Sequence, residues 1–239
     1  MAHGKNTSVL FNAFDLSNYF NQADVSVDQG TAEGTGFQPT GGARVFEVGL
    51  NGGTVSLSGF FNGSANGVDA KLSSTINPSA DDVVTISPEG VLALGKFCKL
   101  LASQTTQYQV SSPLDGLVTV SGSLQANSGI SSGVILHPLG AETVTGNDTS
   151  IDQTAATSNG GVAHLHVTTV TGTTPSNTVI VQHSTDNSTF ADLITFTAAT
   201  VATQERKTVT GTVNRYVRTK RTMSGTTPSF TYAVGFARR

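Results

Sequence analysis

The chain has 239 residues, 37% of them hydrophobic and only 12% charged, with 26 Gly, one Cys and no Trp. A single cysteine excludes a disulfide scaffold, and no stretch approaches the roughly 20 apolar residues of a membrane-spanning helix. The net charge of −3 hides an asymmetry: residues 1–140 hold 5 Lys/Arg against 10 Asp/Glu, residues 141–159 hold three acids and no base, and residues 160–239 hold 8 Lys/Arg against three acids.

Halves of opposite sign predict two domains with different neighbours, 1–140 and 161–239, joined by a linker over 141–160 that is rich in Gly, Thr, Asn and Asp. No apolar segment follows Lys5, so a secretory signal is not expected. Residues 28–43 hold five glycines and one large apolar side chain, Phe37. They read as a flexible surface loop that orders against a partner. Residues 54–60 alternate small polar with apolar side chains, the period of a strand with one buried face. A helix is predicted over 64–77, with Ala65, Val68, Leu72 and Ile76 on one stripe, Ser64 as its N-cap and Asn77-Pro78 as its stop. Asp81 and Asp82 fit an exposed turn, and short strands are expected at 83–86 and 108–110. Residues 92–101 suit a short helix or a strand, in which Cys98 packs as a small buried hydrophobe. Residues 117–125 alternate again, with Val118, Val120 and Leu124 on one side, and a strand at 134–139 is expected to stop at Pro138.

The second half reads as strand throughout, at 163–167, 178–183, 193–196, 215–222 and 229–236, the spacing of a β-sandwich. The pentapeptide Gly-Thr-Thr-Pro-Ser occurs at 172–176 and again at 225–229, and both copies read as hairpin loops. His164 and His166 share a face with one another and are expected on the solvent side. With His183 they could in principle hold a metal, but no general base or further ligand is placed beside them, and no metal or other cofactor is assigned. Arg215, Arg218, Lys220 and Arg221 form the strongest basic feature. Alternation places Arg215 and Arg221 on one face and Arg218 and Lys220 on the other, an outer basic surface rather than a one-sided nucleic-acid site. No nucleophile elbow, P-loop, paired CxxC or HExxH is present, so no catalytic residue is assigned and the chain is not expected to be an enzyme.

The order of Phe14-Asp15-Leu16-Ser17, Tyr19-Phe20, a Gly-rich loop, the strand 49–61, the segment 63–70 and the closing strand 117–126 resembles the major tail tube proteins of long-tailed, siphovirus-type bacteriophages. The resemblance runs over about residues 5–140. Its most specific part is Leu-Ser-Gly-Phe-Phe-Asn-Gly-Ser-Ala at 57–65. It implies a mainly β fold: a tail-tube-type β-sandwich or barrel with one flanking helix, carrying here an appended C-terminal antiparallel β-sandwich. It further implies a virion structural protein, made in the host bacterial cytoplasm, whose hexameric rings stack into the tail tube. DNA passes through the lumen without specific binding. Tape measure, terminator and distal tail proteins are the implied partners, and no membrane is involved. Long loops of the family reach the next ring, which makes Thr31, Glu33, Phe37, Gln38 and Phe46 candidate inter-ring contacts. Two other readings stand beside this one. The chain could be a capsid decoration or cement protein, or its C-terminal part could bind glycans, for which Tyr216 and Tyr232 alone are a thin aromatic platform.

Overall fold

The computed structural model describes residues 3–37, 42–76 and 79–239. The chain is mainly β. Thirteen strands join one antiparallel sheet, in chain order β1 (Ser8–Phe11), β2 (Phe14–Asp15), β3 (Phe20–Glu33), β4 (Phe46–Phe60), β5 (Asp82–Ser87), β6 (Phe97–Ser111), β7 (Thr119–Glu142), β8 (Gly146–Asn147), β9 (Ile151–Asp152), β10 (Gly161–Ser184), β11 (Ala191–Thr195), β12 (Thr203–Val209) and β13 (Tyr216–Arg238). The one α-helix among the described residues is α1, Val68–Leu72, continued by a 3-10 turn over Ser73–Thr75.

The predicted helix is thus present but shorter. Its N-cap is Gly67, not Ser64, because the Asn62 side-chain oxygen accepts the Ser64 N–H and holds residues 62–67 in a turn. Val68 and Leu72 are buried as the stripe requires, whereas Ala65 and Ile76 are exposed. The proposed stop at Asn77-Pro78 lies outside the described residues.

In the N-terminal half, β3, β4, β7 and β6 lie side by side. Their inner face packs Val55, Leu57, Val120 and Leu124 against Val68 and Leu72 of α1 and against Phe11 and Leu16. Each such fully buried side chain contributes on the order of 1.5–3 kcal/mol. Of the segment 92–101, residues 97–101 form the start of β6 and 92–96 a turn, with Cys98 buried in a second cluster beside Leu100 and Ile135. Burial pushes its thiol up to about 12, which leaves it unreactive.

The second half is a double ribbon. β10 and β13 pair along almost their whole lengths, from Gly161↔Arg238 to Ser184↔Tyr216. The two Gly-Thr-Thr-Pro-Ser copies are not hairpin loops. They face one another in mid-ribbon, where the register slips between Thr171 and Ser176. Gly172 and Gly225 adopt φ of 117° and 111°, a region essentially confined to glycine. Each sits against the opposite copy, so that a Cβ on Gly172 would meet Thr227 O at 2.8 Å and one on Gly225 would meet Thr174 O at 2.7 Å. The two prolines avoid the ladder because the bulge leaves their positions unpaired. This double bulge folds the ribbon over one core that draws Leu165, Val167, Phe230 and Phe236 from one arm and Val179, Val181 and Val217 from the other. β12 and β7 flank the first arm, while β11, β8 and β9 flank the second.

Two expectations about chain continuity change. β7 does not stop at Pro138; the residue falls in a bulge between His137 and Gly140, and the strand runs on to Glu142. The segment 141–160 is not free of the sheet, since Gly146–Asn147 and Ile151–Asp152 pair with β13.

Candidate assembly surface

The four strands β3, β4, β7 and β6 carry a polar outer face in matched rows. Gln22, Ser58, Ser121 and Gln109 form one row, Asp24, Ser56, Ser123 and Gln107 the next, and Ser26, Thr54, Gln125 and Gln104 a third. All are exposed or partly exposed. Strict alternation puts the apolar partners inside and these hydroxyls and amides outside. β3, β4 and β7 contain no Lys or Arg, and the one in β6 is Lys99, outside the three rows. Asp24 and Asp28 are the charges on this side; each accepts from a neighbour, Asp24 from Gln22 Nε2 at 2.6 Å and Asp28 from Ser26 Oγ at 3.2 Å.

Among the described residues both lateral edges of this four-stranded unit are open. Among the described residues β3 pairs with β4 alone, and beyond Thr105 β6 pairs with β7 alone. Open edges present unpaired N–H and C=O groups that readily take a strand from another chain.

The predicted flexible loop over 28–43 begins as strand, since residues 28–33 belong to β3. β3 continues to Glu33, with Thr31↔Val48 and Glu33↔Phe46 in register, and the tip is held by Gly34 N–H donating to Val45 O (2.9 Å) and Val45 N–H to Thr35 Oγ1 (2.9 Å). In the returning strand Phe46, Val48 and Leu50 alternate with Glu47 and Gly49, the period of a strand. The result is a two-stranded arm beyond the last β4–β7 pair at Thr54. A lone hairpin of this kind is at best marginally stable in water, and this one is bare: Val48 is 77% exposed, Leu50 92%, Phe46 54% and Phe37 fully. Of the candidate contacts, Thr31, Glu33 and Phe46 come together on the arm, Phe37 lies in its tip, and Gln38 lies outside the described residues. Val48 and Leu50 were missed; the period of two from Phe46 through Leu50 was the signal for them.

A second apolar group lies at the other end of β4. Phe60 and Phe61 are exposed there, as are Val110 at the end of β6 and Leu114 and Leu117 of the β6–β7 turn, and Phe61 N–H donates to Val118 O at 3.1 Å. At roughly 3.3 Å per residue the fifteen residues of β4 separate the two groups by on the order of 45 Å. Among described residues after 117, Val144 and Val201 are the exposed large hydrophobics, so the C-terminal part presents a finished surface.

The basic residues at the start of β13 and just before it are mostly engaged. Arg215 grips Asp152 through Nε (2.7 Å) and Nη2 (2.6 Å) and holds that carboxyl down to about 2. Arg218 stacks 3.8 Å over the Phe190 ring and donates to Gln182 Oε1. Lys220 is partly exposed. Arg221 is not on an outer surface, contrary to the sequence expectation. It is 9% exposed and donates to Glu142 (2.7 Å), Asp148 (3.0 Å) and Val144 O (3.0 Å). The segment 141–160, laid along β13, covers it. His137 joins the same network through Nδ1 to Asp148 (2.7 Å) and stacks on Tyr232 at 4.0 Å. Burial alone would raise Asp148, but the His137 hydrogen bond and charge, Thr219 and Arg221 outweigh it and hold the carboxyl below its ordinary value. His137, Glu142 and Asp148 place one ligand atom each within 4.8 Å. The Arg221 guanidinium already supplies the positive charge a cation would bring, and no metal is assigned.

The histidine expectation also changes. His164 and His166 are wholly buried, because the second face of β10 is covered by β1, β2 and β5 rather than by water, and His183 sits beyond the bend, accepting the Asn214 N–H. Asp82, expected in an exposed turn, opens β5 and is 4% exposed, accepting from Asn12 Nδ2 at 2.8 Å.

No family model matches the chain, and no curated protein matches it. Solved structures do. The chain is similar to one in the virion of a native gene transfer agent particle, at 14% identity and a TM-score of 0.44, over 55% of this chain and 98% of that one. It is similar also to one in the tail of an empty particle of that kind refined with sixfold symmetry, at 13% identity and a TM-score of 0.44, over 55% and 98%. A third similarity, to the SPP1 Dit hub protein, has 13% identity and a TM-score of 0.35 over 97% and 98%.

Proposed function

We propose that this chain is a structural subunit of a bacteriophage tail, located in the virion, that assembles with copies of itself into stacked rings forming a tube for DNA. The observation that carries the reading is the β3–β4–β7–β6 unit: two open lateral edges, a polar cation-free face, and apolar groups at both ends. Edge-to-edge pairing, β3 of one copy onto β6 of the next, is head-to-tail and closes a ring. Stacking of the arm onto an adjacent ring buries Phe46, Val48 and Leu50 and gives the marginal hairpin the cover it lacks alone. The open polar face then lines the lumen. Lys and Arg contacts to phosphate supply most non-specific affinity for DNA, and a wall of hydroxyls, amides and aspartates without them lets DNA slide.

In this reading residues 1–140 build the tube and 161–239 form an outer part joined to them through the shared sheet and core. Six subunits per ring, and tape measure, terminator and distal tail proteins as neighbours, follow from the sequence resemblance. The role is assembly, with no catalysis and no cofactor. Electron microscopy of the purified protein at rising concentration tests it. Rings or tubes with sheet continuing from copy to copy are expected. Compact monomers or trimers under every condition would replace this reading with that of a capsid decoration protein.

A further inference from the structure

The two buried histidines lie where the halves of the molecule meet. His164 and His166 project from β10 toward β5 and the β1–β2 turn, and both are 0% exposed. His166 Nδ1 lies 2.6 Å from the Asn12 carbonyl oxygen. A carbonyl only accepts, so Nδ1 carries the proton and Nε2 of the neutral ring is bare. The Thr85 hydroxyl, 2.8 Å away, must therefore donate to His166 Nε2. Its oxygen is left to accept from His164 Nδ1 at 3.2 Å, and His164 Nε2 has no partner. The bonds run one way, from His164 to Thr85 to His166 to the Asn12 carbonyl, and each link joins β10 to the N-terminal half.

Such a chain tolerates only neutral rings. A proton on His166 Nε2 turns both ring nitrogens into donors, and the Thr85 hydroxyl loses its acceptor. The new charge faces His164, whose ring centroid is 6.0 Å away, and Arg206, the β12 residue paired with His164. Arg239 adds to the positive side around Arg206. The acids nearby are spent elsewhere: Asp82 on Asn12 Nδ2 and Thr105, Asp81 on Asn127 and Gln104, and Glu205 on Lys207 and Thr197. No carboxylate among the described residues hydrogen-bonds either ring.

We propose that the His164–Thr85–His166–Asn12 chain is an acid-operated joint, closed while both rings are neutral and opened by their protonation, which frees β10 and the C-terminal part from β5 and the β1–β2 turn. Burial sets the direction. It pulls His166 down to about 4 from its ordinary 6.5. It pushes His164 well below that ordinary value too, with the His166 and Arg206 charges adding to the effect. An opened joint binds protons from about pH 6.5 downward and a closed one does not until about pH 4. The closed form is thus fully favoured above that window and loses ground as pH falls through it. Its opening constant rises up to about tenfold per pH unit for each ring.

Hydrogen exchange of the full chain, corrected for intrinsic rates, at about pH 7 and about pH 5 tests this. Residues 9–13, 82–87 and 162–167 should lose protection at the lower pH by tenfold or more, while 54–60 and 119–125 keep theirs. The double substitution His164→Asn with His166→Gln, which cannot titrate, should flatten the difference. If that variant does not fold, the imidazole proton resonances of the unaltered protein decide: they should titrate only together with the loss of protection. Equal pH dependence across the molecule, or rings that titrate near their ordinary value while the joint stays protected, overturns the proposal.

Discussion

Arg221 fastens residues 142–148 to β13 with one side chain. Its guanidinium bonds two carboxylates and a carbonyl in a site where Glu142 and Asp148 have little solvent to fall back on. Replacing Arg221 by Met leaves both acids facing a buried imidazole and phenol without their counter-charge. A loss of about 3–5 kcal/mol is expected in urea unfolding, with Arg221→Lys intermediate because it keeps the charge and loses the fork. The two bulge glycines are the second residue-scale prediction. Gly225→Ala sets a Cβ 2.7 Å from Thr174 O and 2.9 Å from Thr173 O at a φ of 111°. It should cost about 1–3 kcal/mol in the same measurement. Residue roles were the least legible part of the sequence. Alternation put Arg215 and Arg221 on one face of a strand, but Arg215 falls just before β13, and the stretch of chain that covers Arg221 depends on Glu142 and Asp148, more than seventy positions away. The same blindness placed His164 and His166 in water: a period of two tells apart the faces of a strand, not whether both are covered.

At the scale of elements, the arm is the part whose surface and stability are decoupled. Val48 and Leu50 touch little within their own chain. Val48→Ser with Leu50→Ser should leave the melting of the unassembled protein within about 0.5 kcal/mol and abolish rings or tubes in sedimentation and microscopy. Assembly that survives the pair would remove the arm from the contact. β4 and β7 were readable because residues 54–60 and 117–125 alternate cleanly over one core. β12 was missed because Thr203–Val209 is mostly polar and shows no such alternation. The Gly-Thr-Thr-Pro-Ser copies look like hairpin turns taken singly. Their true role depends on meeting each other across a ribbon, and that pairing is not local.

At the scale of the molecule, the charge asymmetry hinted at two parts, and the packing shows how closely they are joined. One buried cluster mixes Leu10, Cys98, Leu100 and Ile135 with Val162, Ala233 and Ala237, so neither half can lose the other without exposing it. Calorimetry near neutral pH should therefore show one transition whose calorimetric and van't Hoff enthalpies agree. Below about pH 5, with the histidine joint open, it should broaden or split.

β7 makes the connection a mechanical one. Its first residues lie between β4 and β6 and its last beside β13, with a kink at Ser128 and Gly129, both at positive φ, between them. A pull on residues 161–239 is carried into the β3–β4–β7–β6 unit along an unbroken covalent backbone, like load along a beam that passes through a wall. In the proposed tube, a partner that grips residues 161–239 therefore has a direct line to the face formed by β3, β4, β7 and β6.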